Sequence, residues 1–98
     1  MIVAYVPDLM DRSKVSAAAG DRVRFVSSPD QLVEAEADLV IVDLSRPGVL
    51  EVLPSIETRT VGFGSHVDTE RLEAARRAGC DEVLARSAFF SRLAELLA

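Results

Sequence analysis

A single cysteine, Cys80, stands among 98 residues, so no internal disulfide can brace this chain, and a cytoplasmic setting suits it best. No apolar run approaches the roughly 20 residues that a bilayer crossing needs. No basic amphipathic stretch offers a surface anchor, and the first residues lack the basic start and long apolar core of a signal peptide, so a soluble protein without membrane contact is expected. Eleven Lys and Arg stand against 16 Asp and Glu, for a net charge of −5, and nowhere do the basic residues gather into a face that could track phosphates. That balance argues against nucleic acid as a partner. Glycine-rich phosphate loops are missing too: the first apolar run leads into Pro7-Asp8-Leu9-Met10-Asp11, which would set carboxylates against a phosphate. His66 is the lone histidine and has no Cys or His companion at metal-ligand spacing. No nucleophile and base form a recognisable pairing, so the chain is not expected to be an enzyme.

What the chain does have is apolar residues, 49% of the total, enough to build one compact core over residues 1–98 with no repeat or linker to suggest a second domain. They fall into five short runs, at residues 2–6, 23–26, 39–42, 60–63 and 82–85, and the first, Ile2 to Val6, is continuous rather than alternating, as a strand buried on both faces requires. Helix-like segments separate them. Residues 11–19 carry Asp11 near the positive helix end and Gly20 as a stop. Residues 27–35 open on a Ser-Ser-Pro-Asp-Gln capping box, and residues 48–56 make only a short helix interrupted by Pro54. Asp68 caps a helix over 69–78 that stops at Gly79, and Phe89, Phe90, Leu93, Leu96 and Leu97 lie at helical spacing in one last helix. The alternation predicts an α/β fold of flavodoxin-like type: a doubly wound, parallel, five-stranded sheet of order 2-1-3-4-5 with shortened helices.

In that order the winding reverses between strands one and three, and the crevice this opens at their carboxyl ends is where such sheets bind ligands. The run Asp38-Leu39-Val40-Ile41-Val42-Asp43-Leu44-Ser45-Arg46-Pro47-Gly48 delivers Asp43 to that edge, with Asp8 across the crevice. Gly64, Ser65 and His66 arrive from strand four, Arg86 and Ser87 from strand five. Two carboxylates and a cation so placed could hold a divalent metal and a phosphoryl group. Each also has a plainer reading. Asp43 could cap the turn after its strand, Asp8 the first helix, His66 could be a solvated loop residue, and Cys80 a small core group. Arg71, Arg76 and Arg77 with Glu70 and Glu73 most simply form a solvated helix face.

The segment 38–48, together with Ala78-Gly79-Cys80-Asp81-Glu82-Val83-Leu84-Ala85-Arg86-Ser87, resembles the receiver domain of bacterial response regulators, and the likeness runs nearly end to end. The resemblance implies Asp43 as acceptor of a phosphoryl group from a histidine kinase. It also implies Mg²⁺ held by Asp8, Asp43 and the carbonyl of Ser45, with Ser65 and Arg86 contacting the phosphate. Three departures fall on the chemistry. Of the family's acidic pair after strand one, only Asp8 remains; Gly64 stands where a hydroxyl residue belongs, with Ser65 beside it; and Arg86-Ser87 replaces the family's lysine and proline. A planar guanidinium is a different phosphate partner from a compact ammonium. The expected function is therefore that of a stand-alone, divergent receiver with a degraded phosphorylation site, working by protein-protein interaction with a kinase or effector. The face implied for docking or homodimerisation comprises residues 69–78, strand five and residues 88–97. The alternatives are a working Mg²⁺-dependent phosphoacceptor, and a small-molecule domain of the kind that takes flavin or cobalamin at the same edge.

Overall fold

The computed structural model describes all 98 residues. Strands β1 (Ile2–Tyr5), β2 (Val23–Phe25), β3 (Leu39–Asp43), β4 (Thr60–Gly64) and β5 (Glu82–Ala85) form one sheet of order β2-β1-β3-β4-β5. Every pairing is parallel, with Val3 opposite Val40, Ile41 opposite Val61 and Val61 opposite Glu82. The crossovers are α1 (Leu9–Ala19), α2 (Asp30–Val33), α3 (Val49–Val52) and α4 (Thr69–Arg77), and α5 (Arg86–Ser91) and α6 (Leu93–Leu96) follow β5. No helix is long and apolar enough to cross a membrane.

The apolar strands have the cause inferred for the first of them: both faces of the sheet are covered. Ile2, Ala4, Val6, Ile41, Val61 and Phe63 pack with Val15 of α1, Phe89 of α5 and Leu93 of α6 on one side. Val3, Val40, Val42 and Val83 pack with Leu32, Val49 and Leu72 on the other. β3, in the middle, is buried at all five positions. Phe63 and Phe89 stack with centroids 4.5 Å apart, and Phe90 meets both rings edge-on, which fixes where α5 leaves the sheet. Two glycines are geometric requirements. Gly48 starts α3 at φ +86, and a Cβ on Gly62 would lie 2.7 Å from Leu44 Cδ2, so β4 must be bare where the chain beyond β3 folds over it.

The local signals translate into structure with a few differences. The Gln31 side-chain carbonyl accepts from the amides of Ser27 (2.8 Å) and Ser28 (3.0 Å), the glutamine half of a capping box, but no serine hydroxyl caps the helix in return, and the helix stops at Val33 rather than residue 35. α3 passes at once into a 3-10 turn, Leu53–Ser55, that contains Pro54. The first helix begins at Leu9, two residues before the sequence pattern starts it, because Asp8 caps it by accepting the Asp11 amide at 3.0 Å. The last helix is not one helix. At Arg92 (φ −102, ψ 6) the chain leaves helical geometry, and the Arg92 amide is shared between the carbonyls of Ala88 and Phe89. The apolar stripe Phe89, Leu93, Leu97 continues across the break, so its spacing concealed it.

Candidate functional site

The carboxyl ends of β1, β3, β4 and β5 bring Asp8, Asp11, Asp43 and Arg86 to one edge of the sheet. Asp43 closes β3 and is 3% exposed. Its Oδ1 accepts from the Ser45 amide (3.0 Å) and the Ser45 hydroxyl (2.6 Å), and its Oδ2 from Arg46 Nε at 3.4 Å. It lies at the carboxyl edge of the sheet, and its contacts are those of a cap on the turn that follows. Asp8 is a helix cap as well. The Asp11 amide holds its carboxyl below the ordinary carboxylate range, and the Met10 amide and the nearby charges of Arg86 and Arg46 act in the same direction.

The residue that organises the edge is Asp11, which sequence reasoning placed only as a charge favourable to the first helix. It is 2% exposed, and both carboxylate oxygens are taken by Arg86: Nη1 donates to Oδ2 at 2.8 Å and Nη2 to Oδ1 at 2.6 Å. A buried carboxylate of this kind persists only where a cation and hydrogen bonds replace its water. The guanidinium also lies over Phe63 (5.8 Å to the centroid) and Phe90 (5.4 Å). Its hydrogen bonds to Asp11, ahead of its attraction to Asp11, Asp43 and Asp8, hold the Arg86 proton more tightly than usual. Arg86 thus acts on three acids, and Arg46 is a second cation for Asp43 and Asp8. A signal for this was in the chain: Asp11, Val15 and Ala19 form the buried stripe of α1, so one carboxylate occupies a core-facing position and requires a partner.

Three other assignments are revised or placed. Ser65 is exposed in the turn after β4, where its hydroxyl accepts from the Val67 amide at 3.4 Å, and His66 is exposed beside it. Arg71 is not simply part of a solvated face: its Nη1 donates to the Leu44 carbonyl at 3.2 Å while its Nε meets Asp68 at 3.0 Å, tying α4 to the end of β3. Arg76 and Glu73 do pair on the outer face. Cys80 is a buried thiol against the carbonyls of Thr60 and Glu82, with its pKa pushed up to about 11 by desolvation.

The residues do not fit a Mg²⁺ site in this arrangement. A magnesium ion demands several oxygens in near-octahedral array. Here Asp11 is spent on Arg86, Asp43 on Ser45 and Arg46, and Asp8 on the α1 amides, and no three acidic, histidine or cysteine side chains converge on one point.

No family model and no curated protein matches the sequence. Solved structures do match. A response regulator from Hahella chejuensis superposes with a TM-score of 0.81 at 18% identity, covering 98% of this chain and 90% of that one. The receiver domain of DrrB in its BeF3-activated form gives 0.76 at 20% identity, covering 98% and 95%. An orphan response regulator of H. pylori gives 0.73 at 14% identity, covering 99% and 95%. The chain has the CheY-like, flavodoxin-type fold of response-regulator receiver domains over nearly its whole length.

Proposed function

We propose that this chain is a receiver-type signalling module that works by protein-protein contact, without phosphoryl transfer and without a bound metal. The observation that carries the reading is the Asp11–Arg86 pair. A carboxylate accepts a phosphoryl group only if the charge of the moving group is neutralised, and Mg²⁺ contributes most of that in phosphoryl chemistry. Here the acids that could recruit the ion are neutralised by a side chain, and Asp43 is engaged by Ser45 and Arg46. With Gly64 closing β4 and Ser87 near the start of α5, the edge also lacks the hydroxyl and proline that the resembled family places at these positions. The similarity to an orphan response regulator is compatible with regulation by other means, such as the supply of the protein or its partner. The docking face is assigned to α4, the edge strand β5 and α5–α6, which receives an effector or a second copy of the chain, in the cytoplasm.

The competing reading, a working phosphoacceptor, draws on the position of Asp43 at the end of β3. A flavin- or cobalamin-type ligand is disfavoured, because the pocket beside this edge on the α1–α5 side has Phe90 as its sole hydrophobic residue among polar and charged ones. The deciding experiment is incubation with acetyl phosphate and Mg²⁺, or with beryllofluoride, followed by intact mass and amide spectra. The expected result is no adduct and an unchanged spectrum. An adduct that disappears in Asp43→Asn establishes the phosphoacceptor and defeats the proposal.

A further inference from the structure

A pocket of about 490 Å³ opens next to the acid-guanidinium pair, between α1, the turn after β4 and the start of α5, lined by Lys14, Ser65, His66, Arg86, Ser87 and Phe90. The chain holds one lysine and one histidine, and both line this pocket. None of the 16 carboxylates of Asp and Glu does. In a protein of net charge −5 this lining, contributed by three separate segments, carries cationic and hydroxyl groups and no acid of its own.

The two strongest cations in it both lie against one aromatic ring. Lys14 Nζ lies 4.8 Å and Arg86 Cζ 5.4 Å from the centroid of the same Phe90 ring. Arg86 is compensated on its inner side by Asp11, whereas Lys14 takes part in no ion pair. Like charges around one ring repel unless an anion lies between them. A guanidinium carries five N–H donors, and Asp11 engages two of them, so Arg86 can donate outward without releasing its acid. The Lys14 ammonium adds three donors, and the hydroxyls of Ser65 and Ser87 add two. Many donors, two cations and a lining without carboxylates suit a compact, multiply charged oxyanion better than a monovalent carboxylate or a halide.

We infer that this pocket binds a small phosphate-type dianion, inorganic phosphate or a small phosphomonoester, without covalent transfer. The site is separate from Asp43, which does not line it, and the inference does not depend on the signalling reading above.

The test is an amide-resolved titration of the full chain with sodium phosphate and with glycerol 3-phosphate, each against sodium chloride at equal ionic strength. Inorganic phosphate cannot phosphorylate Asp43, so the result is independent of the phosphoacceptor question. Saturable shifts confined to the surroundings of Lys14, Ser65, His66 and Ser87 are expected, and whichever of the two ligands saturates at lower concentration identifies the form preferred. Lys14→Met, which keeps the aliphatic stem on Phe90, weakens binding about five-fold, the scale of one exposed charge pair. Arg12→Met removes the same charge from the same helix, at a guanidinium that stacks on Phe25 instead, and leaves the affinity unchanged. Both side chains are exposed, so both variants fold. Shifts that chloride reproduces, or equal weakening by the two variants, reduce the effect to net charge and overturn the inference.

Discussion

Replacing Arg86 by methionine removes the cation paired with Asp11 and leaves that carboxylate facing the core. Breaking a fully buried ion pair by deleting one partner costs about 3–5 kcal/mol. The Arg86 side chain is 46% exposed while Asp11 is 2% exposed, so solvent screens the pair from one side only, and the expected loss falls to about 2 kcal/mol. For a domain of this length, that corresponds to a fall in Tm of roughly 8–16 °C. Arg86→Met/Asp11→Leu removes the stranded charge as well, and the double variant is expected to regain most of the loss, because apolar replacement of both partners of a buried pair is often neutral. The single variant also releases the carboxylates that Arg86 compensates. Mg²⁺ or Ca²⁺ at millimolar concentration therefore raises the Tm of Arg86→Met, whereas the wild-type midpoint is the same in the metal and in EDTA. Thermal and urea unfolding measure all four quantities. A single variant within about 0.5 kcal/mol of wild type, the range of ordinary surface substitutions, or a wild-type Tm that rises with Mg²⁺, refutes the idea that the guanidinium stands in for the ion.

Gly62→Ala places a methyl group 2.7 Å from Leu44 Cδ2, where Leu44 is fully buried, and overpacking of this kind costs about 1–3 kcal/mol in urea unfolding. Asp8→Ala lowers Tm at neutral pH by loss of the α1 cap. Because the folded state holds the Asp8 carboxyl below its ordinary value of 3.8, its stabilisation is complete above that pH and is lost as the pH falls through the lower folded value, so the wild-type and variant melting curves converge in acid. Cys80, with its thiol pushed up to about 11 and buried, reacts with a disulfide reagent at neutral pH only as fast as the chain opens, and denaturant accelerates the reaction sharply.

The parts of the molecule that the sequence disclosed are those set by short-range rules. Five short, largely apolar runs specify strands, and β-α alternation then leaves the parallel doubly wound sheet as the natural topology. The glutamine half of the capping box at Ser28–Gln31 and the Asp68 cap are likewise local, and each sits where its pattern puts it. The break at Arg92 was not legible, since it preserves the apolar stripe that signals a helix and depends on Arg92 reaching Glu82, ten residues back, at 3.0 Å. The placement of Asp43 was legible for the same reason as the sheet: a carboxylate ending the middle strand can only arrive at the crevice.

Its chemical state is a different matter, and it turns on one contact that spans 75 residues. Reading the motif residues one at a time, Arg86 stands for a phosphate contact and Asp8 for a metal ligand, because each occupies the place where the resembled family has such a group. Neither assignment allows for competition. Arg86 sits at the start of α5 with an acid from the buried stripe of α1 directly beneath it, and a carboxylate in a dry, low-dielectric setting outcompetes a solvated one for the same guanidinium. The partner was chosen by burial rather than by motif. Since the same guanidinium lies with Lys14 against Phe90 and has its outer donors unused, the pairing that closes the edge to a cation is also what leaves the neighbouring pocket open to an anion.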